Sequence, residues 1–219
     1  MKSLVAAGIP RATITEISRR MWLNTARRRQ ILYAEGNRAT HLYAVRSGRV
    51  KLVKLDAGGR EHIVAVHEPG ELFGFEAVFD HAYSTGAEAL TDCELCLASG
   101  PELGALMREM PSVAVDLAGY LHHQLCSTRN RQVYLGASAA SAKLAGFLLD
   151  GLSGDAGSPG AEATLSLDLT LKELGGILGL SPETVCRLLG TLKTRGIIES
   201  HPAGIRVRDL DSLRRLAGA

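Results

Sequence analysis

The sequence predicts an α+β chain in three parts: a small barrel or jelly roll of short strands, one long helix, and a C-terminal domain of short helices closed by a β-hairpin. From Gln30 to about Ala98, short runs of β-type residues recur between glycine-containing turns. From Ser112 to about Tyr134, apolar residues recur at helical spacing with no proline. From Leu165 onward, short helical segments punctuated by glycine give way to β-like pieces. The 219 residues, 46% hydrophobic, can bury a real core without disulfide or metal staples. No apolar run reaches about 18 residues, so no membrane-spanning helix is expected. Pro10, Arg11 and Glu16 interrupt the N-terminus, so a secretory signal is not expected and a cytoplasmic setting is the expectation. Cysteines at 93, 96, 126 and 186 suggest free thiols rather than a disulfide ladder. The net charge of +2 is too small to argue for a polyanionic partner by itself.

Taken in order, Arg11 to Leu23 reads as a short helix or arm, followed by the basic cluster Arg27-Arg28-Arg29. That cluster is either a solvated helix end or a phosphate-contacting arm. Strands are expected at Ile31–Tyr33, Leu42–Val45, Val50–Leu55 and His62–Val66, with Gly36, Gly48, Gly58-Gly59 and Gly70 supplying the turns. Pro101 to Met110 forms one or two helical turns. In the long helix Val113, Leu117, Leu121 and Leu125 recur every fourth position, widened by Ala114 and Ala118. This stripe either packs on the chain's own barrel or meets a partner helix, most simply from a second copy. Ala137 to Leu152 is a further helix, and Ser153 to Gly160 is a loop by composition.

The segment Leu169 to Ile198, LTLKELGGILGLSPETVCRLLGTLKTRGII, carries the chemistry. Thr170 and Glu173 form a capping box, Gly179 permits a positive-φ break, and Ser181 with Pro182 opens a second helix. Helix, glycine turn and capped helix constitute a helix-turn-helix signature. The flanking pieces Ile197–Ser200 and Gly204–Arg208, joined through Pro202-Ala203, read as a wing. Glu183 and Arg187 share one face of the second helix. In a major groove Arg187 can pair with guanine, and Glu183 can accept from a base amino group. Thr184, Lys193 and Arg195 are candidates for phosphate contacts. Residues 170–208 carry six Lys or Arg against three Asp or Glu, a locally basic module in a nearly neutral chain. The alternative for Glu183 and Arg187 is an ordinary surface salt bridge. Cys186 adjoins Arg187 near the helix N-terminus in a locally basic module, which makes it a candidate for oxidation, with a plain Ser-sized substitute as the alternative.

With these residues the chain resembles the CRP/FNR family of bacterial transcription regulators, and its FNR-like, FixK-type branch in particular. LGLSPETVCRLLGTLKTRGII is similar to that branch's recognition segment, with Glu183 and Arg187 at the matching positions of E-x-x-S-R and Cys186 at its Ser. Pro69 to Ala77 is similar to its P-G-D-x-x-G-F-D-A stretch. The resemblance implies a cupin-like jelly-roll sensor (1–110), a dimerisation helix (111–136) and a winged helix-turn-helix domain (137–219). It also implies a homodimer, RNA polymerase as a partner, double-stranded DNA bound through Ser181, Pro182, Glu183, Thr184, Cys186, Arg187 and Lys193, and a palindrome of TTGAT-like half-sites. Activation is the expected mode. An effector pocket is expected around Gly70, Glu71, Leu72, Tyr83 and Ser84.

The departures bear on the effector. Where cyclic-nucleotide-binding members carry Arg-Ser, this chain has Tyr83-Ser84, and a phenol cannot replace a bidentate cation on a phosphate, so cyclic AMP is not expected. Residues 1 to 92 contain no Cys, so an FNR-type iron–sulfur cluster is not expected. Cys93 and Cys96 form a C-x-x-C, but a strand should send them to opposite faces. His122-His123 leaves haem as a chemically reasonable ligand, with interface or surface histidines as the alternative. A cupin-type metal enzyme would need a His–carboxylate cluster, and His41, His62, His67 and His81 are scattered. No catalytic or metal residue is therefore assigned.

Overall fold

The computed structural model describes residues 8–59, 61–154, 164–165, 169–201 and 204–218. Its elements are α1 (Arg11–Ser18), β1 (Met21–Ala26), β2 (Ile31–Tyr33), β3 (His41–Ser47), β4 (Val50–Leu55), β5 (Glu61–His67), β6 (Leu72–Phe73), α2 (Glu76–Phe79), β7 (Gly86–Ala89), β8 (Cys93–Ser99), α3 (Gly100–Glu109) and the 25-residue α4 (Pro111–Leu135). After them come α5 (Ala140–Gly154), β9 (Thr164–Leu165), α6 (Leu171–Leu178), α7 (Pro182–Thr194), β10 (Ile198–His201), β11 (Gly204–Val207) and α8 (Leu210–Ala217). The chain divides into two compact units between Leu125 and Cys126, within α4.

In the first unit two four-stranded antiparallel sheets, ordered β1-β8-β3-β6 and β2-β7-β4-β5, make the jelly roll. The run Leu42-Tyr43-Ala44-Val45 is apolar throughout because both faces of β3 are covered. Tyr43 and Val45 join the inter-sheet core with Tyr33, Phe73, Tyr83, Leu95 and Leu97. Leu42 and Ala44 face the helices with Leu72, Ile14, Ile17, Leu103 and Leu106. Aromatic rings fill the barrel: Tyr33 stacks on Tyr83 at 3.6 Å and Tyr43 on Phe73 at 5.0 Å between centroids. The barrel begins earlier than the glycine punctuation predicts. Met21 to Leu23, expected as part of a helix, opens the edge strand β1, registered so that Trp22 opposes Leu97. Trp22 is 44% exposed and makes an edge contact with His41. Arg27 to Arg29 is accordingly the β1–β2 turn, with the Arg28 N–H donating to Asp92 and Arg29 at φ 67°.

The apolar stripe of α4 is divided, which corrects its reading as one dimer surface. Val113 and Leu117 are buried with Tyr120 against Ile9, Ile14 and Leu103 of their own unit. Leu121 and Leu125 are 37% and 47% exposed. A spacing of four overshoots a 3.6-residue turn by about 40° per step, so the row winds off the barrel-facing side. The buried line instead continues to Tyr120, whose hydroxyl donates to the Leu72 carbonyl (3.2 Å) and accepts from the Leu72 N–H (2.7 Å).

The second unit packs Leu144, Leu148, Leu174, Leu178, Val185, Leu192, Ile198, Ile205 and Leu213 into one core. Tyr134 at the end of α4 lies against Gly146, where a Cβ would come within 2.3 Å of it, and Arg131 pairs with Asp150 at 3.0 Å. The wing is the antiparallel pair β10–β11, extended by β9, which the sequence did not announce. Pro202-Ala203 and most of the expected Ser153–Gly160 loop lie outside the described residues.

Candidate nucleic-acid interface

The helix-turn-helix is built from local interactions. The Thr170 N–H donates to the Glu173 carboxylate (2.7 Å) and the Glu173 N–H to the Thr170 hydroxyl (3.2 Å), closing the capping box. Gly179 ends α6 at φ 64°, a left-handed conformation that a Cβ disfavours. The Leu180 N–H then donates to the Gly175 carbonyl at 2.9 Å, and a Cβ on Gly175 would meet the Leu180 carbonyl at 2.5 Å. Close passage of the turn over α6 therefore requires glycine there. The Ser181 hydroxyl accepts from the Thr184 N–H (3.2 Å) and lies 3.0 Å from the Thr184 hydroxyl, so both residues are engaged in capping α7. Pro182 stands at the first helical position, where its missing N–H leaves no bond unmade.

Val185 and Leu192 anchor α7 in the core, and Glu183, Cys186, Arg187, Gly190, Thr191, Lys193 and Thr194 are exposed. At about 100° per residue, Glu183, Arg187, Gly190 and Thr194 lie within about 40° of one line. Cys186 and Lys193 flank it on one side and Thr191 on the other. Among the described residues neither Glu183 nor Arg187 has an ion-pair partner, which sets aside the i,i+4 salt bridge. Gly190, Thr191 and Thr194 were not singled out from the sequence, although continuing the Glu183–Arg187 spacing of four reaches Thr191. The basic count of the module is only partly available: Arg206 and Arg208 both pair with Glu199, at 3.3 and 2.9 Å.

Two of the expected effector residues, Leu72 and Tyr83, belong to different core clusters of the first unit. Leu72 packs with the helices and Tyr83 with the barrel interior. Tyr83 is 3% exposed; its hydroxyl donates to the His41 carbonyl (2.9 Å) and accepts from the N–H groups of His41 (3.0 Å) and Thr40 (3.3 Å). No cation stands at this position, so these residues do not fit a cyclic phosphate. Ser84 donates to Glu76. Gly70 takes φ 99° in the turn ahead of Glu71. Glu71 accepts from the Glu68 N–H (2.9 Å) and from Gln124 (3.4 Å) and lies 3.3 Å from His67 Nδ1. Burial pushes its carboxyl pKa up, but His67, the Glu68 N–H and Gln124 outweigh burial and hold it below the usual range.

Cys93 belongs to the barrel core and Cys96 to the helix side, as strand alternation predicts, so the C-x-x-C cannot act as one chelate. Among the described residues no group of three or more His, Cys, Asp or Glu is placed to hold a metal ion. His122 and His123 are exposed, their rings 5.9 Å apart. Among the described residues no helix is long and apolar enough to cross a membrane.

The family model for a cyclic nucleotide-binding domain matches residues 23–110, and that for a Crp-like helix-turn-helix domain matches residues 142–216. The regulatory protein HlyX of Actinobacillus pleuropneumoniae is 31% identical over 185 residues, 84% of this chain and 77% of that one. The fumarate and nitrate reduction regulatory protein of Escherichia coli K12 is 28% identical over 189 residues, 86% and 76% of the two chains. The structure of FixK2 from Bradyrhizobium japonicum superposes with a TM-score of 0.80 at 29% identity, covering 91% of this chain and 98% of that one. These relatives are regulators rather than enzymes.

Proposed function

The chain is a DNA-binding transcription regulator of the CRP/FNR family, and from that premise we propose that it acts as a homodimer reading a palindrome of TTGAT-like half-sites. The observation that carries this is the exposed Glu183–Arg187 face, without ion-pair partners among the described residues, on a helix capped at its N-terminus by Ser181. Arg187 takes guanine, Glu183 accepts from a base amino group, and Lys193 meets phosphate. Ser181, Pro182 and Thr184 hold the helix N-terminus in shape beside the duplex.

Ala114, Ala118, Leu121, Leu125, Thr128 and Gln132 repeat with spacings of four and three along α4, the pattern of a two-stranded seam. This replaces Val113 and Leu117 as the dimer surface. The matches at 23–110 and 142–216 leave a middle segment between them, which supports a sensor over 1–110, a dimerisation helix over 111–136 and a DNA-reading domain over 137–219. RNA polymerase is the further partner, activation the mode and the cytoplasm the site of action. Cyclic AMP is not the effector, since Tyr83 is buried and its hydroxyl already bonded. Cys186, exposed on the flank of the recognition face, is a redox control point: oxidation adds bulk and negative charge beside phosphates.

The test is titration of freshly reduced, ligand-free protein onto the palindrome and onto a scrambled duplex at one salt concentration. Selective binding that peroxide abolishes in the native protein, but not in Cys186→Ser, supports the whole account. Equal binding to both duplexes removes effector-independent reading of this site, and haem becomes the first additive to titrate. Equal peroxide loss in both proteins moves redox control away from Cys186.

A further inference from the structure

Glycine inside a helix costs about 1 kcal/mol relative to alanine, so each such position asks for a local reason. Gly146, Gly151 and Gly175 have one: a Cβ would come within 2.3, 2.5 and 2.5 Å of Tyr134, Leu165 and the Leu180 carbonyl. Gly190 has none among the described residues. It lies in the interior of α7, it does not have positive φ, and no atom of the described residues stands within 4 Å of where its Cβ would be. It occupies the exposed line with Glu183, Arg187 and Thr194. The hydroxyls of Thr191 and Thr194 donate back to the carbonyls of Arg187 and Gly190, each at 3.0 Å, so both are turned onto the helix backbone beside Gly190. At about 1.5 Å per residue, Gly190 lies about 4.5 Å beyond Arg187 along the helix axis.

We propose that Gly190 is a close-approach point for DNA: the bare backbone of α7 lies against the sugar–phosphate flank of the major groove, and any side chain there holds Arg187 away from its base. The reason for glycine is thus in the bound duplex and not in the free protein. This rests on the groove placement of α7 proposed above.

The experiment compares Gly190→Ala and Gly190→Leu in the full-length protein by melting and by binding to the palindrome. Gly119→Ala is the control, because Gly119 of α4 also has nothing within 4 Å. Both alanine variants are expected to melt higher than the native protein. Gly190→Ala binds the palindrome about tenfold weaker or worse, and Gly190→Leu weaker still, while Gly119→Ala binds normally. The salt dependence of binding stays unchanged, because no charge has been removed. Native affinity in Gly190→Ala overturns the proposal, and so does a lowered melting temperature, which would reveal an internal role. If Arg187→Ala also binds normally, the groove placement itself fails. If only Arg187→Ala is impaired, close approach alone is wrong.

Discussion

Replacing Arg187 with alanine isolates the reading of one base. The side chain is exposed and, among the described residues, has no ion-pair partner, so its loss changes folding stability by no more than about 0.5 kcal/mol. A bidentate arginine–guanine pair discriminates by about 1–3 kcal/mol. A dimer on a palindrome makes it twice, so the expected loss is about 2–6 kcal/mol, or from about 30-fold to about 20,000-fold in affinity. Fluorescence anisotropy at fixed salt measures this on three duplexes: the palindrome, the palindrome with its guanines replaced, and a scrambled control. The native protein should rank them in that order, and the variant should bind the first two alike. A uniform loss on all three would make Arg187 a phosphate contact, and no loss on any would remove α7 from the groove. Melting of the variant provides the internal check, since a fall in stability would show that a lost fold has been mistaken for a lost contact.

Leu125→Glu should turn the proposed dimer into monomers in sedimentation velocity without lowering the melting temperature of the first unit, because Leu125 is half exposed there; a dimer that survives would move the interface elsewhere. Gly175→Ala should destabilise the second unit by about 1–3 kcal/mol in chemical denaturation, the cost of forcing a Cβ against the Leu180 carbonyl. Glu71→Gln should remove a pH-dependent part of stability. The carboxyl pKa is lowered in the fold, so its contribution is present above the unfolded value of about 4.3 and is lost as pH falls through the folded value. The native protein should therefore lose more stability than the variant on acidification below that value, and parallel curves would refute the assignment.

The recognition unit was legible because its geometry is set within a few residues. The Thr170–Glu173 box, Gly179 and the Ser181-Pro182 start each fix one joint without help from elsewhere. The barrel strands were legible where glycine turns bracket alternating residues. The edge strand β1 was not: Met21–Ala26 is exposed along most of its length, so its pairing with β8, some seventy residues on, leaves no alternation to read. The surroundings of Tyr83 were not legible for a related reason. Whether Tyr83 opens into a pocket or closes on the backbone depends on its bonds to Thr40 and His41, more than forty positions away. The α4 stripe misled because a spacing of four counts as helical locally while rotating steadily around the helix.

The chain has a single tryptophan, and it stands on β1 against His41, in the first unit. Tryptophan fluorescence, excited selectively, therefore watches the first unit alone, while far-ultraviolet dichroism averages over both. A denaturant titration followed by the two signals is a direct measure of cooperativity between the units: coincident transitions mean that they unfold together, and separated ones give each its own midpoint. Placed in a DNA titration, the same indole becomes a label-free reporter of whether occupancy of the recognition helix is felt in the barrel.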